Sequence, residues 1–148
     1  MRKSLFICLF FVVHSLWSMS FDHAKDIYMK VGSMNHIKVI PLLVYDPSKE
    51  VNASYGGMRV TINQGMLADV RDDDEIALVF GHELAHYTLA HNASTPAHEY
   101  AADALGAIYM HNAGYNICIG AQVIKRFHAP DSDTHPNSDS RFKRICHS

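Results

Sequence analysis

The chain has 148 residues, 48% of them hydrophobic and 19% charged, with a formal net charge of −2 at pH 7. That is enough for one domain with a modest core, and it excludes disordered and collagen-like classes. With 13 basic residues against 15 acidic ones there is no basic surplus, so no nucleic-acid partner is expected.

The amino end opens with Met1, Arg2 and Lys3, runs through an apolar stretch from Leu5 to Val13, and reaches small residues at Ser18 and Ser20. This pattern predicts a secretory signal peptide over residues 1–20, cleaved after Ser20, and a single domain over residues 21–148. About a dozen apolar residues interrupted by His14 fall short of the roughly 20 that span a bilayer, so the expected protein is periplasmic or secreted with no stable membrane span. Losing Arg2 and Lys3 leaves 11 basic residues against 15 acidic, a formal charge of −4. Cys118 and Cys146 then meet an oxidising compartment, where they either join as a disulfide or stay as two buried thiols.

Ala24, Ile27, Tyr28 and Val31 recur at helical spacing and predict a first helix, capped by Asp22 and stopped at Gly32. Ile37 to Tyr45 is rich in Val, Ile and Leu, but it contains Pro41, which places a strand at or near a sheet edge. Val51, Ala53 and Tyr55 alternate with polar neighbours, as do Met58, Val60 and Ile62. Gly56 and Gly57 between them supply the positive φ of a tight turn, which predicts a hairpin. Asp72, Asp73 and Asp74 lead into a long apolar run. Asp72 and Glu75 have capping-box spacing and the acidic cluster suits a helix N-terminus, so a cap accounts for them without a calcium site.

That helix is expected to run to Asn92. Thr95 and Pro96 start the next, which Gly114 ends. A helix over Ile117 to Phe127 and a short one after Pro136 complete the chain. Strands first and helices after argue an α+β fold, with the helices that carry the chemistry packed on a small antiparallel sheet.

The chemistry concentrates in residues 81–91, GHELAHYTLAH. A helix turns about 100° per residue, so His86 lies about 40° from His82 and one turn along, and the two imidazoles share one small volume. Imidazole suits zinc, and a catalytic zinc site has three protein ligands with the fourth position left to water. Glu83, on the flank of the same face, is placed to take a proton from that water. A pair of satisfied helix histidines beside a solvated glutamate is the plainer reading. Against it, Ile76, Val79, Phe80, Leu84, Ala85 and Leu89 surround the three on almost every side, and burying ionisable groups without partners costs several kcal/mol.

The third ligand has to come from elsewhere, and Glu99 is separated from His86 by only 12 residues, across a short turn. Asp103, four residues further, shares the face of Glu99 and is placed to accept a hydrogen bond from the far nitrogen of a ligand histidine. On a solvated face the two would be an ordinary carboxylate pair. Extending the helix, His91 falls about 140° from His86 and faces away, so it is rejected as a ligand. His98, His111 and His128 are assigned to surface or packing roles.

His82-Glu83-Leu84-Ala85-His86 and Glu99-Tyr100-Ala101-Ala102-Asp103 resemble the metal helix and the E-x-x-x-D helix of the gluzincin zinc metallopeptidases of the HtpX, BepA and CAAX-prenyl-protease type. Ala113-Gly114-Tyr115, the segment from Asn52 to Gly57, Gly65-Met66-Leu67, and Thr134-His135-Pro136 with Arg141 are similar to further segments of that family. The resemblance implies a zincin-like fold, with one zinc ion per chain held by His82, His86 and Glu99. It implies Glu83 as general base and Asp103 as the residue that orients His82. It also implies that Arg141 braces the site through a carboxylate, and that His135 donates to the oxyanion or occupies the open metal position.

The expected activity is a zinc endopeptidase acting on exported or envelope proteins. An extended or unfolded polypeptide would add a strand to the edge at Asn52, Ala53 and Ser54. Two rivals are a zinc-stabilised binding module that recognises unfolded chains without cutting them, and a peptidase acting on cell-wall peptides.

Overall fold

A computed structural model of the protein describes residues 18–147, so residues 1–17 of the expected signal segment lie outside the description. Met19 and Ser20, also assigned to that segment, are part of the folded domain. Met19 is buried and its N–H donates to the Leu67 carbonyl at 3.0 Å, while the Ser20 hydroxyl accepts from the His23 N–H and caps the first helix. That helix, α1, spans Phe21–Met34. It runs past Gly32 and ends where His36 takes a left-handed conformation, φ 55°.

Three strands follow, β1 (Leu42–Asp46), β2 (Ala53–Gly56) and β3 (Arg59–Asn63), in the order β1-β3-β2. β2 and β3 form the expected antiparallel hairpin, with the positive φ angles at Gly57 and Met58 rather than at Gly56 and Gly57. β1 pairs with β3 in parallel, so the sheet is mixed rather than wholly antiparallel. The chain between β1 and β3 first lays β2 on the far side of β3, which leaves β1 to enter in the same direction. β1 is an edge strand that starts just after Pro41, where a missing N–H breaks no ladder.

A short helix not foreseen in the sequence, α2 (Gln64–Asp69), joins the sheet to α3 (Asp73–Thr88). The Asp72 carboxylate accepts from the Glu75 N–H at 2.9 Å, so Asp72 caps α3. The Glu75 carboxylate accepts from the Arg71 N–H and is gripped by Arg126, which also reaches Asp69. α3 is the central element and is apolar on nearly every side. Ile76, Phe80, Leu84 and Ala85 are fully buried, and full burial of a side chain such as Phe80 contributes about 1.5–3 kcal/mol. Tyr28 of α1 packs edge-on against Phe80 and donates its hydroxyl to the Pro41 carbonyl at 2.9 Å, tying α1, α3 and the sheet together.

α4 (Pro96–Asn112) starts at the Thr95 cap and ends at Gly114, φ 89°. The helix expected over Ile117 to Phe127 is two short ones, α5 (Ile117–Gly120) and α6 (Gln122–Arg126). They part where Gly120 is pressed against α3: a Cβ there would lie 2.7 Å from the Asp74 carbonyl oxygen. α7 (Ser138–Cys146) closes the chain, and a Cys118–Cys146 disulfide fastens its last residue to α5. The architecture is α+β, a small sheet with helices packed on it. Among the described residues no helix is long and apolar enough to cross a membrane.

Candidate metal centre

His82 and His86 sit one turn apart on α3, and their Nε2 atoms are 3.0 Å apart. α4 folds back along α3 and brings the Glu99 carboxylate to them, Oε2 at 3.3 Å from His82 Nε2 and Oε1 at 3.5 Å from His86 Nε2. The approach is close because two glycines meet at the crossing: a Cβ on Gly106 would lie 2.6 Å from the His82 backbone nitrogen, and one on Gly81 2.5 Å from the Gly106 carbonyl oxygen.

The outer ring nitrogens are both occupied. His82 Nδ1 is 2.9 Å from Asp103 Oδ1, and Arg141 of α7 holds that carboxylate with two bonds, Nε to Oδ2 at 2.8 Å and Nη2 to Oδ1 at 2.7 Å. His86 Nδ1 is 3.0 Å from His91 Nδ1. His91, expected to face away, is therefore beside the site. The wheel that turned it outward assumed a helix to Asn92, whereas α3 ends at Thr88 and Ala90 reverses the chain with φ 54°. His98, assigned to surface or packing, stacks on His91 with ring centroids 4.0 Å apart. His111 and His128 are exposed.

With each Nδ1 hydrogen directed outward, two Nε2 lone pairs and the Glu99 carboxylate face one small volume, an arrangement that could hold a metal ion. Glu99 Oε2 is buried and has no hydrogen-bond partner, as expected for an oxygen kept for a ligand. Two ligands about 2.05 Å from a tetrahedral zinc lie about 3.3 Å from each other, close to the 3.0 Å between the two Nε2 atoms and the 3.3 Å from His82 Nε2 to Glu99 Oε2. The donor set of two imidazoles and one carboxylate fits zinc.

In the metal-free protein a proton stands in for the ion. Burial opposes charge on His82, but the hydrogen bond to Asp103 and the Glu99 carboxylate beside its Nε2 outweigh it and raise its pKa to about 9. Burial and the charge on His82 lower His86 to about 4. Burial disfavours charge on Glu99 and Asp103 too, yet the His82 contact lowers Glu99 to about 2, and the Arg141 hydrogen bonds lower Asp103 to about 2. Glu83 differs: burial raises its pKa, and the charge on His82, the hydrogen bond from the Tyr55 N–H and the charge on Arg141 only partly counter this.

Ser94, not foreseen in the sequence, donates its hydroxyl to Glu99 Oε1 at 2.7 Å. His135 reaches the same place from the loop before α7, its Nε2 3.8 Å from Glu99 Oε2, with the ring half exposed.

Glu83 lines both lobes of the cleft in front of these groups. One lobe, about 300 Å³, has walls from Met66, Leu78, Val79, Val123 and Ile124 and is largely apolar. The other, about 590 Å³, runs along β2 from Asn52 to Gly57 past His82, His86 and His135. Asn52 and Ser54 line it, but their backbones face β3: Asn52 accepts from the Asn63 N–H at 3.1 Å, and Ser54 opposes Thr61 two positions on. Antiparallel pairs alternate, so Ala53 turns its N–H and C=O groups to the free edge, while the Tyr55 N–H, also turned from β3, is directed at the Glu83 carboxylate. Of the three edge residues expected from sequence, only Ala53 presents its backbone to the cleft, with the Tyr55 carbonyl beside it.

The family model of Peptidase family M48 matches residues 25–98, half of the chain. The chain belongs to Peptidase family M48. This family is one of zinc metallopeptidases, and the match includes His82, Glu83 and His86. It stops one residue short of Glu99, so the third ligand of this M48 protein rests on the geometry described above. No curated protein matches the chain.

Proposed function

We propose that this M48 protein is a zinc endopeptidase that cleaves extended or unfolded stretches of exported or envelope polypeptides. The observation that carries the reading is the convergence of His82, His86 and Glu99 on one point in the wall of a cleft that Glu83 also lines. The Cys118–Cys146 disulfide supports an oxidising compartment.

A bound zinc ion supplies a Lewis acid for the peptide carbonyl and lowers the pKa of water to about 7. Burial raises the Glu83 carboxylate toward the working pH, where a general base is most effective. Glu83 takes a proton from the attacking water as the new carbon–oxygen bond forms, and returns it to the amine nitrogen as the carbon–nitrogen bond breaks. The half-exposed His135 ring donates to the carbonyl oxygen as negative charge builds there. Ala53, at the free edge of β2, holds the peptide as an added strand, which binds backbone without requiring a sequence.

Glu83→Gln tests this. The variant should keep its zinc and lose hydrolysis of denatured casein by about 10²–10⁴-fold. A variant that cuts at the wild-type rate excludes Glu83 as the base. A protein that captures unfolded chains without cutting them would show no chelator-sensitive hydrolysis in the wild type and full capture in Glu83→Gln.

A further inference from the structure

The end of α3 is built in a way that the metal reading alone does not use. The His91 N–H donates to the His86 carbonyl at 3.0 Å and the Ala90 N–H to the Tyr87 carbonyl at 3.1 Å. With Ala90 left-handed, these two bonds form a Schellman motif. In that motif the second residue past the cap lies over the side chain three places before the cap, usually as an apolar contact. Here those two residues are His91 and His86, and the contact is a hydrogen bond between their Nδ1 atoms, 3.0 Å long, with the rings nearly edge-on.

The first turn of α4 fixes the other face of His91. His98 stacks on it at 4.0 Å with an interplanar angle of 12°, and His98 Nδ1 is itself 2.8 Å from the Ala93 carbonyl oxygen. The same turn carries Glu99, so one stretch of backbone delivers a ligand and steadies the partner of another.

We propose that His91, clamped by His98, is a positioning residue that accepts the His86 Nδ1 hydrogen and thereby aims His86 Nε2 at the metal. The inference rests on the zinc reading of the site. His86 must expose an Nε2 lone pair to act as a ligand, so its hydrogen belongs on Nδ1, and an acceptor at Nδ1 fixes both tautomer and ring angle. Asp103 does this for His82. His86 has a neutral ring in place of a carboxylate, which orients it without adding a buried negative charge.

Three proteins separate the possibilities. His91→Phe keeps a flat ring to stack on His98 but cannot accept a hydrogen bond, whereas His91→Asn keeps an acceptor and loses the ring. Zinc affinity is read by competition with a chelating dye, thermal unfolding of the metal-free proteins reports folding, and ¹⁵N spectra of histidine give the tautomers. His91→Phe should bind zinc about 10–100-fold more weakly than wild type with an unchanged metal-free unfolding temperature. His91→Asn should recover most of that loss. In zinc-loaded wild type His86 should carry its proton on Nδ1, and His91 Nδ1 should carry none.

Wild-type affinity in His91→Phe overturns the inference, as does equal loss in both variants. If either variant fails to fold, the wild-type spectrum still decides, because a proton on His91 Nδ1 contradicts the assigned direction. Absence of zinc binding by the wild type would instead overturn the metal reading beneath it.

Discussion

His82 is where the chemistry of the site is most easily measured. Its Nδ1 bonds Asp103 and its Nε2 faces Glu99, and together these hold its pKa at about 9 in the metal-free protein. His86 at about 4 and Glu99 at about 2 are already in their ligating forms at neutral pH, so His82 is the ligand that must give up a proton. Zinc uptake at pH 7 should therefore release about one proton, with apparent affinity rising about tenfold per pH unit until about pH 9. Titration calorimetry in buffers of differing ionisation enthalpy measures that number, and a value near zero would show that His82 is not protonated beforehand. The sign is opposite for the metal-free fold. A histidine pKa raised above its unfolded value stabilises the fold fully below about pH 6.5 and loses that contribution as pH rises through about 9. His82, Glu83 and His86 are legible in the sequence because one regular helix fixes their relative directions. His91 is not, since its placement depends on where the helix stops and on a left-handed Ala90 that L residues seldom adopt. Ser94 is equally invisible: a lone serine in a loop has no spacing to betray a carboxylate partner.

α3 and α4 carry all three converging donors, so the distance between the helices sets the geometry of the site. Gly81 and Gly106 set that distance, and the atoms a Cβ on Gly106 would strike are backbone, 2.6 Å away at His82 N and 2.8 Å at Gly81 C. Backbone cannot rotate aside, so Gly106→Ala must push α4 away and draw Glu99 and Asp103 back from His82. Alanine gains about 1 kcal/mol of helix propensity over glycine, but overpacking costs typically 1–3 kcal/mol, and the net effect should be destabilising. The variant should unfold at a lower temperature and bind zinc more weakly. Unchanged zinc affinity would show that the glycine contact does not govern ligand spacing. The starts of both helices were readable from Asp72, Thr95 and Pro96, since caps are local chemistry. Gly106 gave only a faint cue, an isolated glycine inside a helical pattern, and its partner Gly81 is 25 residues away in sequence. The break between α5 and α6 was not readable, because its cause is the surface of α3 on which Gly120 rests. α2 was missed because its six residues are too few to show a period.

At the scale of the whole molecule, the cleft is assembled from parts distant in sequence: the free edge of β2, the face of α3, the start of α4 and the loop before α7. The Cys118–Cys146 disulfide anchors the end of α7, and α7 supplies the Arg141 that holds Asp103, so the covalent link and the metal site share one helix. The sequence indicated the hairpin and its exposed edge, but not which residues face the cleft, since that depends on a register set by a turn at Gly57 and Met58. The register makes a sharp test of strand addition possible. The Ala53 N–H points away from β3, so Ala53→Pro removes a donor facing the cleft while leaving the β2–β3 ladder intact. A peptide carbonyl left without its partner there costs about 1–3 kcal/mol, a loss of roughly 5- to 150-fold in kcat/KM for casein-derived peptides. Zinc content and unfolding temperature should stay at wild-type values, because Ala53 contributes no ligand and no ladder bond. Full activity in Ala53→Pro would place the peptide elsewhere in the cleft, and parallel loss of zinc and activity would mean that the strand shapes the metal site rather than the substrate.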